Sequence, residues 1–563
     1  MQLDKQEILK RANDYIACEK NDVFKNEVET ALKNDNYEDL YDRFYTTLSF
    51  GTAGMRGVIG GGTNRMNTFM VKKVSQGLAS YLVSSINSPS IVIAYDSRNY
   101  SSEFAKAAAL VLAANKVKVY LYDSLRPVPM LSFALRELKA SAGIVITASH
   151  NPSKYNGYKV YWSDGGQVTP PHDIEIAKKA NSVVLEDINE IGEEVARESG
   201  YLNSVNSEVD EAYYNMVISS IRRKNLVKNS KITVAYTPLH GSGNIPVRSM
   251  LDRLGINTVV VKEQELPDGN FPTVKLPNPE SPQAMEKVIE LAKKEKADIV
   301  LGTDPDADRL GIAIPKNKEK SEYQLLSGNQ IATLLCDYLL ETSKEMNKSG
   351  IPFVAKSLVT TDLVKKITES YGGESKDVLT GFKYIAEQIQ LLENNKEKYF
   401  LFGCEESYGF LSVPSVRDKD AVSSAVLAVE VMCYLESKGL TLQDRLESIY
   451  EKYGYSTEIV FARDYEGASG KAEMDKIMQS FHSLKVGDTL VNRKISSIDD
   501  LLEEGTGFPK SNVVIIKFER GEKLIVRPSG TEPKIKYYIF LSGEKETLLK
   551  EMDSIINEFK TSL

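Results

Sequence analysis

The chain has 563 residues, 42% hydrophobic and 26% charged, enough at about 100–200 residues per domain for roughly three to five packed units. With 20 prolines and 36 glycines it is neither collagen-like, low-complexity nor wholly disordered. A formal charge of −8, with 70 Lys and Arg distributed among 78 Asp and Glu, offers no basic face for nucleic acid and no polybasic membrane anchor.

Over the first forty residues, Ile8, Ala12, Tyr15 and Ile16 recur at helical spacing, which predicts a surface helix packed on the domain C-terminal to it. The same stretch mixes both signs of charge and lacks an apolar core, so no signal or transit peptide is expected. The most apolar runs, GIVITA from Gly143 and AVLAVEVMCYL from Ala425, fall short of the ~20 residues that span a bilayer. Cys18, Cys336, Cys404 and Cys433 are far apart and form no CxxC pair, so reduced thiols and a cytoplasmic location are expected. His150, His172, His240 and His482 are too few and too scattered for a zinc site to be expected.

From about residue 70, helix-like segments alternate with the apolar runs SIVIAYDS, KVYLYDS and GIVITASHN, the pattern of buried parallel strands and crossover helices. It recurs in KITVAYTPLHGSG with ADIVLGTDPDADR, and again in PFVAKSLVTTD with YFLFGCEESYG. Each strand ends in a loop dense with Ser, Asp, Glu, His and Gly, where ligands of open α/β sheets gather. Beyond about residue 455, NVVIIKFE, KLIVRPSGT and KIKYYIFLSG between helical stretches predict an antiparallel α+β domain. The expected domains are 1–207, 208–318, 319–454 and 455–563, jointed near 200–212, 315–324 and 451–457.

Four of these loops carry chemistry. In TASHNP, Ser149 stands at a strand end beside His150; it reads either as an exposed nucleophile or as a turn that ends the strand. DPDADR places Asp304, Asp306 and Asp308 directly after an apolar run. Three carboxylates so close repel one another unless a cation neutralises them, and hard oxygen donors suit Mg²⁺. GCEESYG carries Glu405, Glu406 and Ser407, a pairing suited to sugar hydroxyls, and Cys404, which neighbouring glutamates make a poor nucleophile. RPSGTEPKIK offers Arg527, Ser529, Gly530 and Thr531, either a phosphate cradle or a plain β-turn. Arg56 in GTAGMRG, Lys159 in NGYK, and Arg417 with Lys419 in VRDKD gain interest from their neighbours, whereas His240 reads as a turn histidine and Trp162 as packing.

TASHNP, DPDADR, GCEESYG and RPSGTEP, in that order and one per unit, closely resemble the α-D-phosphohexomutase superfamily, the phosphoglucomutases and phosphomannomutases, over nearly the whole chain. GTAGMRG, TGFKYI and VRDKD look like further family elements. The N-terminal helix, GTNRMN and NGYKVYWSDGGQ resemble the branch that includes phosphopentomutases and glucose-1,6-bisphosphate synthases. The resemblance implies three related α/β domains with mixed sheets and a C-terminal α+β domain, arranged around one central cleft. It implies that Ser149 becomes a phosphoserine whose phosphate, with Asp304, Asp306 and Asp308, holds Mg²⁺. Arg309 would steady the transferring phosphoryl group, while Glu405 and Ser407, with Thr380 and Gly381, would read the sugar. Arg527, Ser529, Gly530 and Thr531 would grip the other phosphate, and Lys419 would meet the sugar end. Arg56, His150 and Lys159 would surround the phosphoserine, with Lys419, Lys159 or His150 as general base.

The expected activity is interconversion of glucose 1-phosphate and glucose 6-phosphate, with glucose 1,6-bisphosphate as intermediate and activator. Mannose or pentose monophosphates, and bisphosphate synthesis, are alternatives within the family. An aspartyl-phosphate phosphatase using Asp304 or Asp306, or a non-catalytic sugar-phosphate sensor, are the alternatives outside it.

Overall fold

SIVIAY and AGIVI are buried almost throughout, as strands covered by helices on both faces must be. A computed structural model describes residues 4–51, 54–184, 187–465, 467–529 and 534–563. The chain divides into two compact units, one formed by Met1–Gly328, Ile385–Asn395 and Ser407–Gly439, the other by Asn329–Tyr384, Lys396–Glu406 and Leu440–Leu563.

The first unit opens with three helices where the periodicity predicted one: α1 (Lys5–Cys18), α2 (Asp22–Lys33) and α3 (Tyr37–Phe44). Asn21 and Asn36 accept backbone N–H groups at the starts of α2 and α3, and these caps are what divide the stretch. Ile8, Ala12 and Tyr15 are buried with Val28, Leu40 and Phe44 in a satellite core, while Ile16 is half-buried against it.

Next come β1 (Met55–Val58), β2 (Ser90–Tyr95), β3 (Lys118–Leu121), β4 (Ala142–Ile146), β5 (Tyr155–Trp162) and β6 (Leu202–Ser204), in the sheet order β1-β5-β4-β2-β3-β6. β2 runs parallel to β3 and β4, whereas β5 turns back antiparallel between β4 and β1. Leu78, Ile91, Ile93, Phe104, Leu112 and Ile144 belong to its core. A second sheet holds β7 (Thr233–Thr237), β8 (Asn257–Val260), β9 (Ile299–Thr303), β10 (Leu310–Pro315) and β11 (Tyr323–Leu325), in the order β11-β10-β9-β7-β8. Parallel β8-β7-β9 is extended by antiparallel β10 and β11.

In the other unit, β12 (Ile351–Ser357) is flanked in parallel by β13 (Glu374–Val378) and β14 (Lys398–Glu405). The chain then contributes β15 (Gly409–Leu411) to the first unit, where Gly409 bridges to Arg309. The C-terminal sheet takes β16 (Tyr455–Asp464), β17 (Thr489–Leu490), β18 (Arg493–Asp500), β19 (Val514–Phe518), β20 (Lys523–Pro528) and β21 (Lys534–Gly543). They are ordered β16-β21-β20-β19-β18-β17 with antiparallel pairing throughout. Three α/β sheets followed by an α+β domain is the expected fold class. Among the described residues no helix is long and apolar enough to cross a membrane.

Candidate active site

β4 ends at Ile146, and the loop after it is shaped by its own side chains. Thr147 Oγ1 accepts the Ser149 backbone N–H at 2.8 Å, and Ser149 takes a left-handed conformation, φ 51°. The buried Arg98 guanidinium fastens this loop from below, donating to the carbonyls of Ser149, Asn151, Pro152 and Tyr155. Asp96 fixes Arg98 in turn, accepting its backbone N–H at 2.9 Å. The result is an oriented hydroxyl: Ser149 Oγ donates to Asp304 Oδ2 at 2.8 Å and lies 3.2 Å from His150 Nδ1.

Asp304, Asp306 and Asp308 follow β9 in a turn whose inner carboxylate, Asp304 Oδ1, accepts the backbone N–H groups of Asp308 and Arg309. The outer carbonyls are held from three directions. Ser242 donates through N and Oγ to Pro305 O, Val128 N donates to Asp306 O, and Ala421 N donates to Ala307 O. All three aspartates are buried, with one oxygen of each within 4.8 Å of the others. Lys159 Nζ donates to Asp306 Oδ2 at 3.0 Å, Thr147 Oγ1 donates to the same oxygen at 3.1 Å, and Lys419 Nζ is 3.2 Å from Asp308 Oδ2.

Burial raises Asp304 well above the usual carboxylate range, and repulsion from Asp306 and Asp308 adds to it. Asp308 is raised by burial and by repulsion from Asp306. Burial, the largest single influence, acts upward on Asp306 too, but Lys159, the hydrogen bond with Asp304 and Lys419 together outweigh it and hold the carboxyl low. Asp306 Oδ1 and Asp308 Oδ1 are buried without a hydrogen-bond partner among the described residues. Open oxygens in a crowded acidic trio beside a serine hydroxyl are the donor set of a hard divalent cation, so these residues fit a metal site. His150 is half-buried, and burial together with Arg309 and Arg56 keeps its pKa well below the ordinary value, so the ring is neutral at physiological pH. Arg56 reaches the same loop, donating to Asn151 Oδ1 at 2.9 Å. Arg309 pairs with Glu280.

Lys419 is held between Asp308 and Asp418. Asp418 Oδ1 accepts its ammonium at 2.9 Å, and Tyr161 OH anchors Asp418 Oδ2 at 2.8 Å. Gly409 makes room for the lysine stem, since a Cβ there would stand 2.3 Å from Lys419 Cδ. Thus Ser149, His150, Arg56, Lys159, the aspartate trio, Arg309 and Lys419 are brought together in the first unit, which also carries Ser407.

The other unit carries a second set. Glu405 Oε1 accepts the Gly381 backbone N–H at 2.8 Å, and Arg527 Nη1 donates to Thr380 Oγ1. Arg527 Nε is buried with no hydrogen-bond partner among the described residues, leaving a guanidinium donor for an anion. Ser529 N donates to Lys534 O at 2.8 Å across the loop, while Gly530 and Thr531 lie outside the described residues.

His240 is a turn residue, its ring set between Thr273 Oγ1 and Leu266 O, and Trp162 stacks on His172 with ring centroids 4.0 Å apart. Burial pushes the Cys404 thiol well up, Cys336 up to about 12 and Cys433 up to about 11. Iodoacetamide at about pH 8 is therefore expected to label half-buried Cys18 and to spare the other three until the chain is unfolded, as peptide mass mapping would read. Labelling of Cys404 at the same rate folded and unfolded would contradict that burial.

Sequence reading passed over Asp96, Arg98, Tyr161, Asp418 and Glu280. The charged pair of YDSR at the end of β2 was the available signal for Asp96 and Arg98.

Family models described as phosphoglucomutase/phosphomannomutase alpha/beta/alpha domains I, II and III match residues 47–186, 211–317 and 327–453. A curated phosphoglucomutase of Staphylococcus epidermidis (strain ATCC 35984) is 38% identical over 546 residues, covering 94% of this chain and 97% of that protein. One from Staphylococcus aureus (strain MRSA252) is 37% identical over 557 residues, 96% of each. Among solved structures, the Paramecium phosphoglucomutase parafusin, in its open form, superposes with a TM-score of 0.70 at 16% identity, covering 92% of this chain and 96% of that one. A putative phosphomannomutase from Thermus thermophilus gives 0.67 at 22%, covering 91% and 99%. At those identities the two structures speak to fold alone.

Proposed function

The chain belongs to the phosphoglucomutase/phosphomannomutase family, and from that premise we propose that it interconverts glucose 1-phosphate and glucose 6-phosphate through a phosphoserine at Ser149 and a glucose 1,6-bisphosphate intermediate. The observation that carries this is the Ser149 hydroxyl, oriented by its own loop onto Asp304 of a buried aspartate trio. A hydrolase needs water at such a group, whereas a phosphoryl carrier needs an oriented oxygen, neutralised charge and little water.

Asp304, Asp306 and Asp308, with the Ser149 oxygen, hold Mg²⁺ in this reading, and the bound ion supplies positive charge to the transferring phosphoryl group. The chain's own groups do the rest. Arg309 and Arg56 add cationic donors beside Ser149. In the forward half, the Ser149 O–P bond breaks as a sugar hydroxyl forms its own O–P bond; the hydroxyl proton passes to His150, or to Lys159 or Lys419 as the neutral amine, and a proton passes on to the Ser149 oxygen to restore its hydroxyl. In the return half, the sugar O–P bond of the other phosphate breaks as Ser149 Oγ forms its own, and the proton of the Ser149 hydroxyl, which donates to Asp304 Oδ2 near the His150 ring, is passed on to the freed sugar oxygen. Glu405 and Ser407, with Thr380 and Gly381, read the sugar, while Arg527, Ser529, Gly530 and Thr531 grip the phosphate that is not in transfer. We take 1–207, 208–318, 319–454 and 455–563 as the domain limits, and the buried free thiols Cys336, Cys404 and Cys433 as support for a cytoplasmic enzyme.

The test is kcat/KM for glucose 1-phosphate, mannose 1-phosphate and ribose 1-phosphate, with Mg²⁺ and catalytic glucose 1,6-bisphosphate. Glucose 1-phosphate is expected to lead. Ribose 1-phosphate preferred by about tenfold or more would replace the hexomutase assignment with a pentomutase one.

A further inference from the structure

The segment from Asp268 to Glu280, in none of the four signature loops, touches both halves of the site in the first unit. At its start, Asn270 Oδ1 accepts from Asn99 Nδ2 at 2.9 Å, and the Phe271 ring lies 5.0 Å from the guanidinium carbon of Arg98, the residue that fastens the Ser149 loop. At its end, Glu280 Oε1 pairs with Arg309 Nη1. Glu280 is itself well placed. Asn278 Oδ1 accepts its backbone N–H at 3.1 Å, and the helix Pro282–Glu295 begins two residues later. Pro279 is pressed against Gly311, where an added Cβ would stand 2.8 Å from both the Pro279 carbonyl oxygen and its Cβ. Gly311 is two residues beyond Arg309, so the strap packs on the strand that Arg309 introduces.

Arg309 is a cation with a choice of anions. Its backbone N–H is tied to Asp304 Oδ1, its Nε lies 4.0 Å from Asp308 Oδ1, and that Nε is buried with no hydrogen-bond partner among the described residues. With no competing carboxylate, a guanidinium on so short a tether would settle onto the aspartates and occupy the oxygens that a metal needs. Glu280 supplies the competing carboxylate from the opposite strap and leaves one donor unfilled.

We infer that Glu280 is a positioning residue for Arg309, holding the guanidinium off the aspartate trio with a free N–H available to the transferring phosphoryl oxygens. This rests on the mutase reading of the site. Glu280 touches no reacting atom in this scheme and acts only through Arg309.

A double-mutant cycle on kcat tests it, using the full chain with glucose 1-phosphate, glucose 1,6-bisphosphate and Mg²⁺. Glu280→Ala is expected to lower kcat about tenfold or more with KM within about threefold, and Glu280→Gln, which keeps an acceptor but no charge, to fall between it and the parent. In an Arg309→Ala background the same Glu280 changes should have no further effect, because their target is gone. Additive losses in the two backgrounds, or an unchanged kcat in Glu280→Ala, would overturn the inference while the parent enzyme still turns over. A parent with no turnover on any of the three sugar phosphates would overturn the mutase reading, and this inference with it. If Glu280→Ala does not fold, the near-isosteric Glu280→Gln completes the cycle.

Discussion

Ser149→Ala is expected to lose about 10⁴-fold or more in turnover of glucose 1-phosphate while keeping its fold and its affinity for sugar phosphate. Backbone strain does not change, because alanine and serine carry the same Cβ and meet the left-handed conformation at φ 51° alike. What is lost is one O–H donor to Asp304 Oδ2, a net effect on stability of about 1–3 kcal/mol at most, since the acceptor is a buried carboxyl. The catalytic loss is different in kind. On the proposed mechanism the phosphoryl group is carried on the Ser149 oxygen, and the variant lacks that oxygen. Intact-protein mass spectrometry separates the possibilities. The parent is expected to carry one acid-stable phosphoryl group, on the peptide that contains Ser149, and the variant none. An acyl phosphate on Asp304 or Asp306, labile to base, or a variant within about tenfold of the parent, would sink the phosphoserine mechanism.

The parts of this site visible in the sequence are those whose partners are close along the chain. Ser149 and His150 are adjacent, and the three aspartates alternate within five residues, so local crowding betrays them. Arg98, Glu280, Tyr161 and Asp418 act across the fold, and each alone looks like an ordinary charged or aromatic residue in a strand or loop. Lys159 shows the same difficulty from the other side. It interrupts the apolar run of β5, which weakens the strand signal, yet its ammonium is the foremost of the groups that hold Asp306 low. That strand, antiparallel within a mostly parallel sheet, could not be placed by a pattern that looks for βαβ units. At the N-terminus the helical period was legible, but the breaks were not. Asn21 and Asn36 sit inside an otherwise continuous amphipathic pattern, and only their capping geometry separates three helices from one. The α/β grammar succeeded elsewhere because strands buried on both faces leave short, unbroken apolar runs that surface helices do not imitate.

Charge balance at the aspartate trio sets the second large effect. Lys159, Lys419 and Arg309 approach Asp306 and Asp308, but Asp418 shares Lys419 and Glu280 shares Arg309, so the trio is only partly neutralised before any metal arrives. A phosphoryl dianion on Ser149 would add two negative charges beside the trio, and a divalent cation would offset them. Mg²⁺ should therefore bind more tightly to the phosphorylated chain. A ligand at free concentration L that binds only the native state raises stability by RT ln(1 + L/Kd), so tighter binding at the same concentration gives the larger rise. The expected result is a larger rise in Tm on adding Mg²⁺ to the phosphorylated parent than to Ser149→Ala, with EDTA abolishing turnover and Mg²⁺ restoring it. Asp306→Asn should lose about 10³-fold or more in kcat, because it removes a metal oxygen and leaves Lys159 Nζ without its nearest carboxylate. Equal Tm shifts for the two proteins would mean that the phosphoryl group does not share the metal. Full activity in EDTA would mean that Lys159, Lys419 and Arg309 alone neutralise the transfer.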